Sequence, residues 1–323
     1  MENSRLPALL SVDVEDYFQV EAFADRVDRA QWADFPSRVE ANTRVLLDLF
    51  DECGVRGTFF VLGWVAERFP DLVREIARRG HEMACHSYWH RLVFTLTPDE
   101  FRDDTRRAKE RIEDACGAAV FGYRAPSFSV VDSSLWALGV LAELGFRYDS
   151  SVFPIRHDVY GMPHAPRAPF RVDTAAGPVV EFPMTTFRWL GRHNFPIGGG
   201  GYLRIFPFWL TRMGIRRALA DKVPLITYVH PWEVDPAQPR LAGRLTSRLR
   251  HYTNLKRTAG RLRRLSEMVA FTGFRDSGWI DSALAAEPRE LAPAFPGNPA
   301  QRPQPASGFA SSGRTPPRPA RSS

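Results

Sequence analysis

The chain has 323 residues, 44% of them apolar and 25% charged, which suits one large α/β domain or two smaller ones and argues against wholesale disorder. Its 43 basic and 37 acidic side chains sum to +6, but residues 292–323 hold four arginines and no acid, so the body carries only about +2, too little to suggest a nucleic-acid binder. No apolar run of about 18 residues marks a transmembrane helix, the N-terminal stretch meets acids too early for a signal peptide, and three cysteines without metal spacing suit a reducing, cytoplasmic compartment.

Short apolar runs alternating with helical patterns predict βα units. Residues 8–12 form a buried strand, 38–53 a helix stopped by Gly54, and 57–62 a second strand. Residues 71–79 are helical behind Pro70 and end at Gly80; 81–85 is the third strand. The strongest helical signal covers 98–116, where Thr97 is the N-cap, Pro98 takes the first position, Glu100 completes a capping box and Gly117 closes the end. Strand 121–123, helix 134–144 and strand 146–148 follow. Beyond Pro154 proline-rich loops take over, and the four-glycine run 198–201 is expected to be a flexible loop, since Tyr202 follows where a phosphate cradle needs Lys. A helix over 208–220, a strand over 224–229 and a basic helical stretch over 244–264 complete the body. Eight prolines within 292–323 predict a disordered tail.

In α/β folds chemistry gathers at strand ends. The first strand runs out in Asp13, Val14, Glu15 and Asp16, and three carboxylates in four residues repel unless solvated, paired or neutralised by a cation. After the third strand His86 and His90 stand four residues apart, a spacing that on one helical turn presents two imidazoles to one point. With a carboxylate from the first strand end they make the two nitrogens and one oxygen of an open metal site. Arg124 and His230 lie just beyond two further strands. Metal-assisted hydrolysis needs a general base and a general acid; Asp13 and His230 are the candidates, with Arg124 holding Asp13 ionised.

The order SVDVED, TFFVLG, RGHEMACHSYWH, YRAPSFS, YDSSVFP and YVHPWE resembles the carbohydrate esterase family 4 polysaccharide deacetylases, the NodB-homology domain. The similarity spans roughly residues 8–153, with His230 as the last motif. Downstream, GGGGYLRIFPFWL and VHPWEVDPAQPR are similar to the C-terminal extension of deacetylase-like proteins from exosortase and exopolysaccharide loci. The resemblance implies an α/β fold, a distorted (β/α) barrel of about seven strands. It divides the chain into a deacetylase core at 1–153, an extension at 154–291 that completes the barrel and carries the late histidine, and the tail at 292–323. It makes Asp13 the base, His86 and His90 ligands of a divalent metal that is most often zinc, Arg124 the residue orienting the base, Asp149 the acid tuning the last histidine, and His230 the general acid.

Two departures stand out. Where the family has adjacent aspartates this chain has Asp-Val-Glu-Asp; strand alternation turns Glu15 to the side of Asp13, so Glu15 is the preferred carboxylate ligand and Asp16 the second. RAPSF replaces the usual third motif, leaving the backbone oxyanion donor somewhere in 126–128. Tyr88, Trp89, Phe128 and Trp232 are candidates to stack on sugar faces, with core packing as the ordinary alternative. The expected function is metal-dependent deacetylation of N-acetylated sugars in a polysaccharide or lipid-linked glycan precursor, in exopolysaccharide biosynthesis. The alternatives are a non-catalytic glycan- or partner-binding module and a hydrolase of small cyclic amides. The eight basic residues of 244–264, without an acid, form either the solvated face of a packed helix or a surface for anionic lipid or acidic glycan.

Overall fold

The computed structural model describes residues 6–157, 160–189, 193–289 and 291. The tail expected to be disordered lies outside them. The described strands are β1 (Leu6–Val14), β2 (Thr58–Val61), β3 (Glu82–Cys85), β4 (Gly122–Tyr123), β5 (Tyr148–Asp149), β6 (Phe170–Thr174), β7 (Gly177–Glu181), β8 (Thr186–Trp189), β9 (His193–Pro196), β10 (Leu225–Val229) and β11 (Val269–Thr272). One sheet runs β10-β1-β2-β3-β4-β5-β7-β6, and β11 adds to β1. All its pairings are parallel except β6 with β7, while β8 and β9 form a separate antiparallel hairpin.

Parallel strands buried on both faces read as continuous apolar runs, and β2, β3 and β10 are buried throughout. Alternation divides them between two cores. Leu10, Val12, Phe59, Val61, Cys85, Tyr123 and Val229 join the helices Val39–Cys53, Pro70–Arg78 and Pro98–Cys116 in an outer core. Leu9, Phe60, Ala84, Tyr148, Val180, Ile226 and Tyr228 line an inner core with Phe274.

The sheet curls without closing: among the described residues no backbone ladder joins β10 to β6 or β7. The gap is bridged by the segment after β7. Met184 N–H donates to Val152 O at 2.9 Å, Ile226 N–H donates to Thr185 Oγ1 at 2.6 Å, and Tyr228 N–H donates to Gly198 O at 3.2 Å. The four-glycine run is therefore no flexible loop. A Cβ on Gly198 would stand 2.4 Å from Ile226 O, and one on Gly199 would stand 2.1 Å from Tyr228 O. Two backbones meet there with no room for a side chain.

The basic stretch also departs from expectation. It breaks at Asn254, whose φ is +59°, into helices Leu245–Tyr252 and Thr258–Ser266. The second half packs, with Leu255, Leu262 and Leu265 buried, whereas Leu245 and Leu249 are 69% and 58% exposed. No described helix is long and apolar enough to cross a membrane.

Candidate active site

Asp13, His86, Arg124 and His230 all lie at or just past the C-terminal ends of parallel strands; the first, second and fourth share the parity of the inner core residues Leu9, Ala84 and Tyr228, and Arg124 that of Gly122, which faces the inward Tyr148 ring. Arg124 is fully buried. Its Nη1 donates to Asp13 Oδ1 and to Ser11 Oγ, both at 2.7 Å, its Nε to Ser150 O at 3.2 Å and its Nη2 to Ser150 Oγ at 3.1 Å. The guanidinium lies 4.1 Å over the Phe60 ring. A charge this deep survives because every side of it meets an acceptor or a π-face.

Glu15, His86 and His90 each offer a donor atom within 4.8 Å of the others, and all three are buried. His86 Nδ1 contacts Arg124 O at 2.8 Å, so Nδ1 carries the proton and Nε2 keeps its lone pair for the site. Burial pushes the His86 pKa down to about 4, which favours the neutral, ligating form. His90 Nε2 stands 2.8 Å from Glu15 Oε2, yet that oxygen accepts no aligned hydrogen bond. Burial alone would raise the Glu15 carboxyl, but His90 and His230 outweigh it and hold it near 2. Two imidazoles and an ionised carboxylate, buried and converging with an oxygen left without a hydrogen bond, fit a divalent cation.

The histidine pair does not sit on a helical turn. Residues 86–92 form a loop in which Ser87 and His90 have φ of +63° and +51°. The loop is pinned by Tyr88 N–H to Asp104 Oδ2 at 2.7 Å, His90 N–H to Ser87 Oγ at 3.1 Å, and Arg29 to the carbonyls of Trp89 and His90. Strained backbone held by such anchors is common where ligands must be aimed.

His230 Nε2 lies 3.9 Å from Asp13 Oδ2 and 3.6 Å from Glu15 Oε1, which ties the base, the ligand carboxylate and the late histidine into one constellation. Burial lowers the His230 pKa, but Glu15, Glu233 and Asp13 more than offset it and lift it to about 9. The protonated form is the one an acid needs.

Asp16 turns away. Its Oδ2 accepts from Ser37 Oγ and from the N–H groups of Arg38 and Val39 at 2.6, 2.8 and 3.1 Å, capping the helix Val39–Cys53. Asp149 does not reach the late histidine. With Tyr148 in the inner core, alternation sends Asp149 outward, where it faces Glu181, its register partner on β7. The acid on the His230 ring is Glu233, with Oε1 2.7 Å from Nδ1, a residue that HPWE spacing offered and sequence reasoning passed over.

Tyr88, Phe128 and Trp232 are buried. The Tyr88 hydroxyl donates to Glu67 at 2.9 Å and Arg107 lies 3.8 Å over its ring. Phe128 packs edge-on to Phe153 and Tyr228. Trp232 is stacked between His230 and His251, at 4.9 and 4.0 Å, and its Nε1 donates to Glu15 Oε1 at 3.2 Å. These three rings pack inside the protein, and Trp232 also holds Glu15. Trp89 alone of the four is half-buried.

Residues 30–148 match the polysaccharide deacetylase family, and residues 150–277 match a domain of unknown function, DUF3473. Asp13 and Glu15 precede the first match and His230 falls in the second, so the site draws on three stretches of chain. The peptidoglycan-N-acetylglucosamine deacetylase of Bacillus cereus is 33% identical over 96 residues, 29% of this chain and 35% of that protein. A chitooligosaccharide deacetylase of Bradyrhizobium is 31% identical over 97 residues, 30% of this chain and 42% of that one. The chain thus spans between a third and a half of these curated relatives. A crystal structure from Mycobacterium smegmatis, provisionally named a polysaccharide deacetylase, superposes with a TM-score of 0.58 at 24% identity over 90% of this chain and 95% of that one. The fold is shared.

Proposed function

We propose that this chain, whose residues 30–148 match the polysaccharide deacetylase family, hydrolyses carbon–nitrogen bonds, removing acetyl groups from N-acetylated sugars of a polysaccharide or its lipid-linked precursor. The observation that carries this reading is the convergence of Asp13, His230 and the Glu15–His86–His90 donor set on one inner face. Those three donors would hold a divalent ion, for which zinc suits the two nitrogens and one oxygen, and the bound ion would polarise the acetamide carbonyl and acidify a water. Asp13 takes the water's proton. Arg124 occupies its Oδ1 and so leaves Oδ2, on the His230 side, to receive it. As the water oxygen adds to the carbonyl carbon, a backbone amide meets the oxyanion. The Phe128 and Ser129 amides donate to Ala125 O and Pro126 O, so we assign this role to the amide of Ser127, whose φ is +51°. His230 then protonates the nitrogen as the C–N bond breaks, giving acetate and a free amine.

The resemblance of the downstream segment supports a place in exopolysaccharide biosynthesis, and the exposed part of the basic stretch supports contact with an anionic membrane surface. The direct test is acetate release from tri-N-acetylchitotriose by the zinc-loaded protein. Zinc binding without acetate would leave a glycan-binding module, and turnover of small cyclic amides alone would move the substrate class.

A further inference from the structure

We infer that Glu233 and Arg204 are the positioning residues of His230, a role that rests on the deacetylase reading and gives the DUF3473 region a part in the chemistry. One oxygen holds the histidine at two points: Glu233 Oε1 accepts from the His230 backbone N–H at 3.1 Å and meets ring Nδ1 at 2.7 Å. A carboxylate paired with a guanidinium is ionised and can only accept, so Nδ1 keeps its proton and the one available for transfer sits on Nε2. Nε2 is the nitrogen turned toward Asp13 and Glu15.

The second Glu233 oxygen, Oε2, accepts from Arg204 Nε at 2.5 Å, and both side chains are 1% exposed. Arg204 also donates to the carbonyls of Arg250, His251 and Thr253, at 3.0, 3.1 and 2.5 Å. These end the helix Leu245–Tyr252, where carbonyls lack helical partners. The clamp therefore ties the histidine's carboxylate to a helix end, and His251 of that helix backs Trp232, which backs the His230 ring. Arg204 lies three residues beyond the glycine run, whose Gly198 and Gly199 pack against β10 and whose Gly200 begins its helix, Gly200–Ile205. Among the described residues it hydrogen-bonds none of the proposed metal ligands.

The test uses full-length zinc-loaded protein, its Glu233→Gln, Arg204→Gln and Arg204→Lys variants, and two substrates. An amide at position 233 must turn its NH₂ toward Arg204 or toward Nδ1, the latter forcing the other tautomer. On tri-N-acetylchitotriose kcat should fall about 10²-fold in the two Gln variants with KM little changed, and Arg204→Lys should recover part of the loss. On 4-nitrophenyl acetate, whose phenolate leaves without a proton, rates should stay within about twofold of wild type. Equal losses on both substrates, or no loss on either, would overturn the positioning role. If wild type turns over neither substrate, the deacetylase reading fails, and nitrogen-15 NMR of His230 still decides the clamp. An Nδ1-bound proton in wild type whose resonance is shifted or lost in Glu233→Gln and Arg204→Gln upholds it; no Nδ1-bound proton in wild type, or a resonance unchanged in both variants, refutes it.

Discussion

Asp13 and Asp16 stand three residues apart, yet the structure gives them opposite employment. Asp13 shares a buried guanidinium and faces the site, so Asp13→Asn should keep zinc and lose about 10²–10⁴-fold in acetate release, measured with metal content on the same sample. Asp16 caps a helix, so Asp16→Ala should leave zinc content and turnover near wild type and cost about 1–2 kcal/mol in denaturant unfolding. Zinc loss in that variant would make Asp16 a ligand after all. Replacing His86 and His90 together with alanine should abolish stoichiometric zinc uptake, and unchanged metal content would remove the donor set proposed here. Much of this division was legible in the sequence, because side chains alternate along a strand. Asp13 and Glu15 share one parity; Asp16 breaks it, as does Asp149 beside the inward Tyr148. Glu233 was hidden because a short 3-10 turn, not a strand, brings it back under the His230 ring. The four-residue histidine spacing is realised by a loop with two left-handed residues, which spacing alone cannot distinguish from a helical turn.

Strands β5 and β7 carry a device that no local pattern announces. Their pairing sets Asp149 beside Glu181, both fully buried on the outer face. Burial raises both carboxyls, Asp149 to about 6 and Glu181 well above the ordinary range, where the neighbouring Asp149 adds to the effect. Two carboxyls so placed retain a proton between them. Folded pKa values raised above the unfolded ones mean stability that is full below about pH 4 and drains as pH rises through 6 and beyond. Glu181→Gln supplies a permanent N–H donor of the same shape, so its urea midpoint should fall less than the wild-type midpoint between about pH 5 and 8. Parallel curves would show that the pair does not hold the proton. The pairing was illegible because β6 and β7 are short and partly polar, bounded by Thr174 and Gly177, and register is a tertiary fact. The helix Pro98–Cys116, by contrast, carries its own start and stop, and its capping box and left-handed Gly117 are as the sequence reads.

At the scale of the whole molecule, one face combines exposed apolar side chains with positive charge. Leu245 and Leu249 stand one turn apart on the helix Leu245–Tyr252, flanked by exposed Arg244, Arg248 and Arg250, and a Cβ on Gly201 would touch both Arg250 and the exposed Ile205. His251, on the far side of the same helix, stacks on Trp232 behind His230. The apolar ridge therefore lies about one helix diameter, ~10 Å, from the layer that backs the proposed acid. An anionic bilayer would meet both features, leucines entering the headgroup boundary and arginines contributing about 1 kcal/mol each before salt screening. Such docking would hold the site at the level of a lipid-linked glycan. Co-sedimentation should show binding to vesicles containing phosphatidylglycerol, weakened by salt and by the Leu245→Ser/Leu249→Ser pair, and little binding to pure phosphatidylcholine. Equal binding to both vesicles, or none to either, would reduce this face to ordinary solvated surface, and binding of an acidic polysaccharide in place of vesicles would assign the charge to the substrate.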